Sequence, residues 1–298
     1  MPDLIDPENF RDTAAMMTPL YPMHYEAIVR RALEEDLGRA GDLTTDAVVP
    51  PDARASGRIV ARQAGIVAGL DVAATAFTLL DRSVFVRVEL PDGREAKAGQ
   101  TLAVIEGPAR VLLTAERTAL NLLGRMCGIA TTTARLVEAV GNNPARIVCT
   151  RKTAPGLRIL DKYAVRAGGG ANHRFGLDDA VLIKDNHLAI AGSIAVAVTR
   201  VRDRLGHMVK IEVEVDTLDQ LDELLAIGVD AVLLDNMPPA MLAEAVARVG
   251  GRMMTEASGG ITPETVEAVA ATGVDLISLG WLTHSVVNLD VALDFDVA

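Results

Sequence analysis

Between Thr150 and His187, a chain of formal net charge −11 gathers Arg151, Lys152, Arg174 and Lys184 with His173. They lie in three runs: Thr150-Arg-Lys-Thr-Ala-Pro-Gly156, Asn172-His-Arg-Phe-Gly-Leu177 and Val181-Leu-Ile-Lys-Asp-Asn-His187. Guanidinium forks bind carboxylate or phosphate through paired hydrogen bonds, while a lysine ammonium acts as a point charge. The implied ligand is small and multiply anionic. Further on, Glu214 and Asp235 offer carboxylates from two separate apolar runs. Hard oxygen ligands of this kind, with phosphate oxygens supplied by a substrate, suit magnesium (Mg2+). The glycines of Ser258-Gly259-Gly260 and Gly280 would let backbone amides approach phosphate oxygens near a helix N-terminus. A basic pocket beside an acidic pair points to an organic anion and a magnesium-chelated phosphate held together.

These residues can cooperate only if the fold brings them to one place. Short apolar runs at 146–150, 180–184, 209–215, 231–234, 252–257 and 276–279 alternate with helix-like segments at 194–205, 218–227, 239–249 and 263–272. Strand then helix, with short connections, specifies parallel strands and crossover helices; runs apolar at consecutive positions fit strands covered on both faces. Asp216-Thr217 marks one helix start, and Thr262-Pro263 places a capping hydroxyl before a first-turn proline. The pattern predicts an α/β barrel-like domain from about Arg146 to Gly280. The active site of such a barrel lies at the C-terminal strand ends, and the residues above follow the strands.

Upstream the rhythm differs. Residues to about Thr18 are rich in Pro and Asp and read as a loose arm. A helix is predicted over 25–37, ended by Gly38. Short β-branched segments at 57–61, 65–69, 83–89 and 101–105, with turns at Pro91-Asp92-Gly93 and Ala98-Gly99, form a small β-rich domain crossed by a helix at 72–80. A helical region then runs from Val111 to Val140, with Gly124 and Gly128 as points of interruption and Asn142-Asn143-Pro144 as its stop.

Composition narrows the function. The acidic balance argues against a general polyanion binder, and aromatics at 3% leave few platforms for stacking bases, so nucleic acid is not an expected partner. No stretch approaches the ~18 to 20 apolar residues of a membrane span, and the acidic first residues lack the regions of a signal peptide. Cys127 and Cys149 sit in apolar surroundings without ligand spacing, as buried free thiols of a reducing cytosol would. The expectation is a soluble, cytoplasmic protein. His24, His207 and His284 stand without metal-ligand partners, and Met253-Met254 reads as packing. Asn186 and His187 either cap the next helix or touch the ligand.

The motifs taken in series resemble the quinolinate phosphoribosyltransferases, also called carboxylating nicotinate-nucleotide pyrophosphorylases. They are Thr-Arg-Lys-Thr-x-Pro-Gly, Gly-Gly-Gly-x-Asn-His-Arg, Leu-Ile-Lys-Asp-Asn-His, Glu-Val-Glu-Val, Leu-Leu-Asp-Asn and Ala-Ser-Gly-Gly-Ile, with Gly41-Asp-Leu-Thr-Thr45 and Glu116-Arg-Thr-Ala-Leu-Asn121 upstream. The likeness runs from about His24 to the C-terminus. It implies an α/β protein: an N-terminal open α/β sandwich over 24–128, completed by 281–298 and preceded by an arm over 1–23, and an incomplete α/β barrel over 129–280. It also implies transfer of phosphoribosyl from phosphoribosyl pyrophosphate to quinolinate with decarboxylation, with magnesium and no organic cofactor. Arg151, His173, Arg174 and Lys184 would hold quinolinate. Lys152 would face phosphoribosyl pyrophosphate, and Glu214 and Asp235 would handle the metal and the ribose. A homodimer is implied in which Arg117 reaches the partner subunit's site. Lys152, Lys184, Glu214 and Asp235 form the expected catalytic set.

Residue types alone leave other chemistries open. Lys184 could be the amine of a Schiff-base lyase, or a lysine snorkelling to the barrel mouth. Arg117, beside Glu116, could be a solvated charge. A non-catalytic anion-binding relative could keep the fold, and a transferase for another pyridine or aromatic carboxylate would use the same side chains.

Overall fold

Residues 17–295 are described by the structure, a computed structural model, and they fall into two compact units. Of the arm expected over 1–23, residues 1–16 lie outside the described residues, and a helix already begins at Pro22. One unit takes the chain up to Ala134, then Thr153–Gly169 and the residues from Leu282; the other takes Arg135–Lys152 and Gly170–Trp281. The sequence reading placed the crossing at 128/129 and kept 153–169 in the barrel.

In chain order the elements are α1 (Pro22–Leu37), α2 (Leu43–Val48), β1 (Arg54–Ala61), β2 (Gly65–Ile66), α3 (Leu70–Leu80), β3 (Phe85–Val88), β4 (Glu95–Ala96), β5 (Thr101–Pro108) and α4 (Ala109–Val140). There follow β6 (Arg146–Val148), α5 (Arg158–Ala167), β7 (Val181–Ile183), α6 (Asp185–Ala191), α7 (Ile194–Arg202), β8 (Ile211–Val215) and α8 (Leu218–Ile227). The chain continues through β9 (Ala231–Asp235), α9 (Pro239–Val249), β10 (Met254–Ser258), α10 (Val266–Ala270), β11 (Leu276–Ser278), α11 (Trp281–His284) and β12 (Val291–Phe295).

The first unit is built on a sheet of order β12-β1-β5-β3, with every neighbouring pair antiparallel. Ile59 of β1 stands opposite Ala103 on one side and Leu293 on the other, so the late strand completes the early sheet. Turn residue Asp92 holds the start of α3, accepting from the backbone N–H groups of Gly69 at 2.7 Å and Leu70 at 3.2 Å. Helix α4 runs 32 residues without a break. The glycines expected to interrupt it instead leave room for another chain segment. A side chain at Gly124 would press on the Leu289 carbonyl, and one at Gly128 would collide with that of Val287. Leu289 N–H donates to the Gly124 carbonyl at 2.9 Å, which fixes the crossing.

The second unit is a six-stranded, all-parallel sheet of order β6-β11-β10-β9-β8-β7. Successive side chains on a strand point to opposite faces. On β8, Ile211, Val213 and Val215 share one face, and Glu212 and Glu214 the other. The registers Leu182↔Glu212, Glu214↔Leu233, Leu233↔Glu256 and Asp235↔Ser258 carry that division across the sheet. One face therefore bears Glu212, Glu214, Asp235, Glu256, Ser258 and Ser278, and the alternation continued beyond β7 adds Lys184. The other bears the buried Ile183, Val213, Leu234, Ala257 and Ile277.

Local signals decide the helix starts. Thr217 Oγ1 accepts from Gln220 N–H at 3.2 Å, and the Gln220 side chain accepts in return from Thr217 N–H, a reciprocal cap for α8. The expected cap at Thr262 is not formed; its own N–H donates to Thr265 Oγ1 at 2.9 Å, and α10 starts only at Val266. Met253 is buried as expected, but Met254, the first residue of β10, is exposed. Among the described residues no helix is long and apolar enough to cross a membrane.

Candidate active site

All but one of the side chains expected at the site belong to the second unit: Lys184, Glu214, Asp235 and Ser258 at or just beyond strand ends, and Arg151, Lys152, His173 and Arg174 in loops. Lys184, between β7 and α6, forms an ion pair through its Nζ with the Glu214 carboxylate of the neighbouring strand. Asp235 ends β9, and burial pushes its carboxyl up; Glu214 and Asp216 push the same way while Lys184 and Lys152 oppose them. Three acids and two lysines thus interact beyond the ends of β6, β7, β8 and β9. Lys152 is exposed at the end of the loop after β6, where its N–H donates to Thr150 Oγ1 at 3.0 Å.

Asn236, next in the chain, is the one non-glycine residue with positive φ among the described residues, at 54°. Its side-chain amide donates to Asp235 Oδ2 at 2.6 Å, and its backbone N–H to the Ser258 carbonyl at 2.9 Å. A side chain at Gly259 would strike the Asn236 amide, and Gly259 itself has φ 87°. Gly259 is therefore required twice over, by conformation and by close approach. Gly260, exposed, also has positive φ, at 62°, and Gly280 follows β11.

Two guanidinium groups lie close enough to repel. Burial pushes Arg174 down, and Arg151 adds to the effect, while Glu212 and Asp179 counter it. Arg174 Nη1 donates to the Ala180 carbonyl at 2.9 Å, and Arg151 Nε is buried without a hydrogen-bond partner. Crowded, partly desolvated cations of this kind favour a ligand with more than one negative charge.

The sequence reading singled out neither Glu212 nor Glu256, and both stand behind His173. His173 Nε2 is 2.9 Å from Glu212 Oε2 and 3.5 Å from Glu256 Oε2. Glu256 is 1% exposed, and its carboxyl is pushed up to about 7, by burial first and then by the charge of Glu212, with His173 opposing. Neither Glu256 oxygen, nor the Ser278 hydroxyl beside them, has a hydrogen bond of good geometry. A signal was present: acids at alternate positions within apolar strands, Ile211-Glu-Val-Glu-Val and Met254-Thr-Glu-Ala-Ser, are rarely buried without a task.

Other expectations resolve simply. His187 Nδ1 accepts Lys184 N–H at 2.9 Å, so His187 caps α6. Cys127 and Cys149 are buried and form no disulfide, and burial pushes the Cys127 thiol up to about 12. Arg117, the remaining expected site residue, is exposed on α4, in the first unit.

Family models of the quinolinate phosphoribosyl transferase N-terminal and C-terminal domains match residues 42–127 and 129–294. The chain is 48% identical over 273 residues to the nicotinate-nucleotide pyrophosphorylase [carboxylating] of Mycobacterium leprae (strain TN), covering 89% of this chain and 95% of that one. It is 46% identical over 260 residues to the probable enzyme of that name from Bacillus subtilis (strain 168), covering 87% and 89%. The crystal structure of NadC from Streptococcus pyogenes superposes with a TM-score of 0.89 at 38% identity, over 94% of this chain and all of that one. Both domain matches, the relatives and the shared fold lead to one conclusion: the chain belongs to the quinolinate phosphoribosyltransferase family.

Proposed function

We propose that this protein is a decarboxylating quinolinate phosphoribosyltransferase of de novo NAD biosynthesis. It joins quinolinate to phosphoribosyl pyrophosphate and releases nicotinate mononucleotide, pyrophosphate and carbon dioxide. The observation that carries the reading is a crowded cationic group in the loops beside a sheet face that bears an acidic pair. Arg151, Arg174 and Lys184 suit the two carboxylates of quinolinate, with His173 and, from the partner subunit, Arg117 completing the set by family resemblance. Lys152, Ser258, Gly259, Gly260 and Gly280 suit the phosphoribosyl half.

The pyridine nitrogen attacks the anomeric carbon as the bond to pyrophosphate breaks, and the electron pair leaves with the pyrophosphate. Positive charge gathers on the ribose, where Glu214 and Asp235 stabilise it, and Lys152 offsets the negative charge of the leaving group. Nitrogen is itself the nucleophile, so the protein orients it more than activates it. The quaternised nitrogen then stabilises the carbanion left on the adjacent ring carbon when its carboxylate departs as carbon dioxide, and that ring carbon takes a proton. The donor set also fits magnesium: Glu214 and Asp235 are hard oxygen ligands, and Asp235 sits where a nearby dication would relieve its electrostatic cost. Held by those two residues and substrate phosphates, the ion would neutralise the leaving pyrophosphate.

The ion pair between Lys184 and Glu214 suits an anion-binding ammonium and not a Schiff-base amine. The active form is read as a homodimer, and two thiols in no disulfide suit the cytoplasm. Purified protein given quinolinate, phosphoribosyl pyrophosphate and magnesium should yield nicotinate mononucleotide and carbon dioxide in equal amounts. Absence of both products would overturn the reading.

A further inference from the structure

Both ring nitrogens of His173 face protein groups. Its Nδ1 accepts the backbone N–H of Arg174 at 2.7 Å, and its Nε2 faces Glu212 at 2.9 Å and Glu256 at 3.5 Å. An acceptor Nδ1 places the ring hydrogen on Nε2, where Glu212 receives it, with Glu256 at ion-pair distance. The ring spans from the sheet to the loop preceding β7, joining side chains of β8 and β10 to the main chain of the residue that carries the guanidinium. Glu256 is 1% exposed, and the Oε2 atoms of both acids are turned to the His173 ring.

Resting on the reading of this site as one for a pyridine dicarboxylate, we infer that Glu212 and Glu256 are positioning residues for carboxylate recognition: they fix the His173 ring, which through Nδ1 fixes the Arg174 backbone and so aims its guanidinium. His173 then acts as a brace, serving quinolinate through the Arg174 backbone. The pair of acids is retained in the interior because a carboxylate is the strongest acceptor for Nε2–H. The elevated carboxyl of Glu256 agrees with this, since a partly protonated acid beside Glu212 lowers the repulsion between them. The three groups lie within 4.8 Å of one another and include the donor types of a metal site. Ligation would need a bare Nε2, however, and the ring hydrogen would move to Nδ1, against the Arg174 N–H.

The test uses the whole enzyme and both substrates. Turnover by the unmodified protein is measured first, and its failure would count against the proposed activity and not against the brace. Glu212→Ala and His173→Ala should each raise the KM for quinolinate roughly tenfold or more while shifting that for phosphoribosyl pyrophosphate by no more than about twofold. Losses of two residues acting through one contact do not multiply, so the double variant should be within about threefold of the worse single. Glu212→Gln, which keeps an acceptor oxygen, should recover most of the loss. The unmodified protein supplies a readout independent of folding. Nitrogen NMR of the His173 ring, assigned by its loss in His173→Ala, should show Nδ1 without a hydrogen both before and after saturation with quinolinate. Multiplying losses, equal effects on both substrates, protonation of Nδ1 on adding quinolinate, or a stoichiometric transition metal lost in His173→Ala would each overturn the inference.

Discussion

Arg125 grips the fully buried carboxylate of Asp161 with two parallel hydrogen bonds, Nε to Oδ1 and Nη2 to Oδ2, each 2.9 Å. Asp161 Oδ2 also accepts Ala154 N–H at 3.2 Å, and Arg125 Nη2 donates to the Thr283 carbonyl at 2.9 Å. The pair thus joins α4, α5 and the return of the chain after the barrel. Removing one partner leaves a buried charge alone. Arg125→Ala should lower stability by about 3–5 kcal/mol in denaturant titrations, while Arg125→Met with Asp161→Leu should lose much less. Equal losses in the two variants would show that packing, not charge, accounts for the effect.

Quinolinate should be used far better than nicotinate. Arg151, Arg174 and Lys184 offer more positive charge than one carboxylate needs, and each lost charge-assisted pair costs on the order of a hundredfold in kcat/KM. Competition between the two substrates in one reaction measures the ratio directly, and comparable use would count against the assignment of the cationic group.

Glu214→Ala and Asp235→Ala should weaken turnover and blunt its dependence on magnesium, yet leave quinolinate binding by titration calorimetry within a few-fold of normal. Loss of quinolinate binding alone would mean that the two halves of the pocket have been assigned backwards.

Stability should fall as pH rises from the ordinary glutamate value of 4.5 towards 7. Glu256 keeps its proton in the folded protein to about pH 7, whereas the unfolded chain gives it up near 4.5. Across that window the unfolded state binds fewer protons, so rising pH favours it, by an amount on the order of 3 kcal/mol at full effect. Glu256→Gln should flatten this part of the stability profile and gain most, relative to the parent, above pH 7. An unchanged slope in that variant would move the titration to another group.

Arg117→Ala and Lys184→Ala should each be nearly inactive alone, and a mixture that exchanges subunits should regain activity. A mixed dimer holds one site with both defects and one with neither; random pairing makes roughly half the dimers mixed, so recovery approaches about a quarter of normal per subunit. If confirmed exchange restores nothing, Arg117 works within its own chain or not at all.

Much of the barrel was legible because alternation between apolar runs and helices is a long, repeated signal. Strands β6 to β11 were each located to within a few residues, and α8 and α9 to the residue. Short elements escaped. Helix α6 follows a strand with no polar cap other than the lysine and histidine of the site itself, and α5 lies in a segment whose Arg151-Lys152 start drew attention to chemistry. Gly124 and Gly128 misled because a glycine read from one strand of sequence gives no hint of the segment that will lie against it. Glu212 and Glu256 escaped because the strands read as apolar overall, and only register shows that both acids share a face with Lys184 and Asp235.

The pairing of β12 with β1 sets an order of events during synthesis. Residues 291–295 leave the ribosome some 230 residues after the strand they complete, so until then β1 keeps an open edge and the groove at Gly124 and Gly128 stays uncovered. The barrel strands, already made, can fold first. A nascent chain stalled before Leu289 would expose a row of unpaired backbone groups able to pair with another copy, which makes the late arrival of a five-residue strand the step at which aggregation competes with maturation.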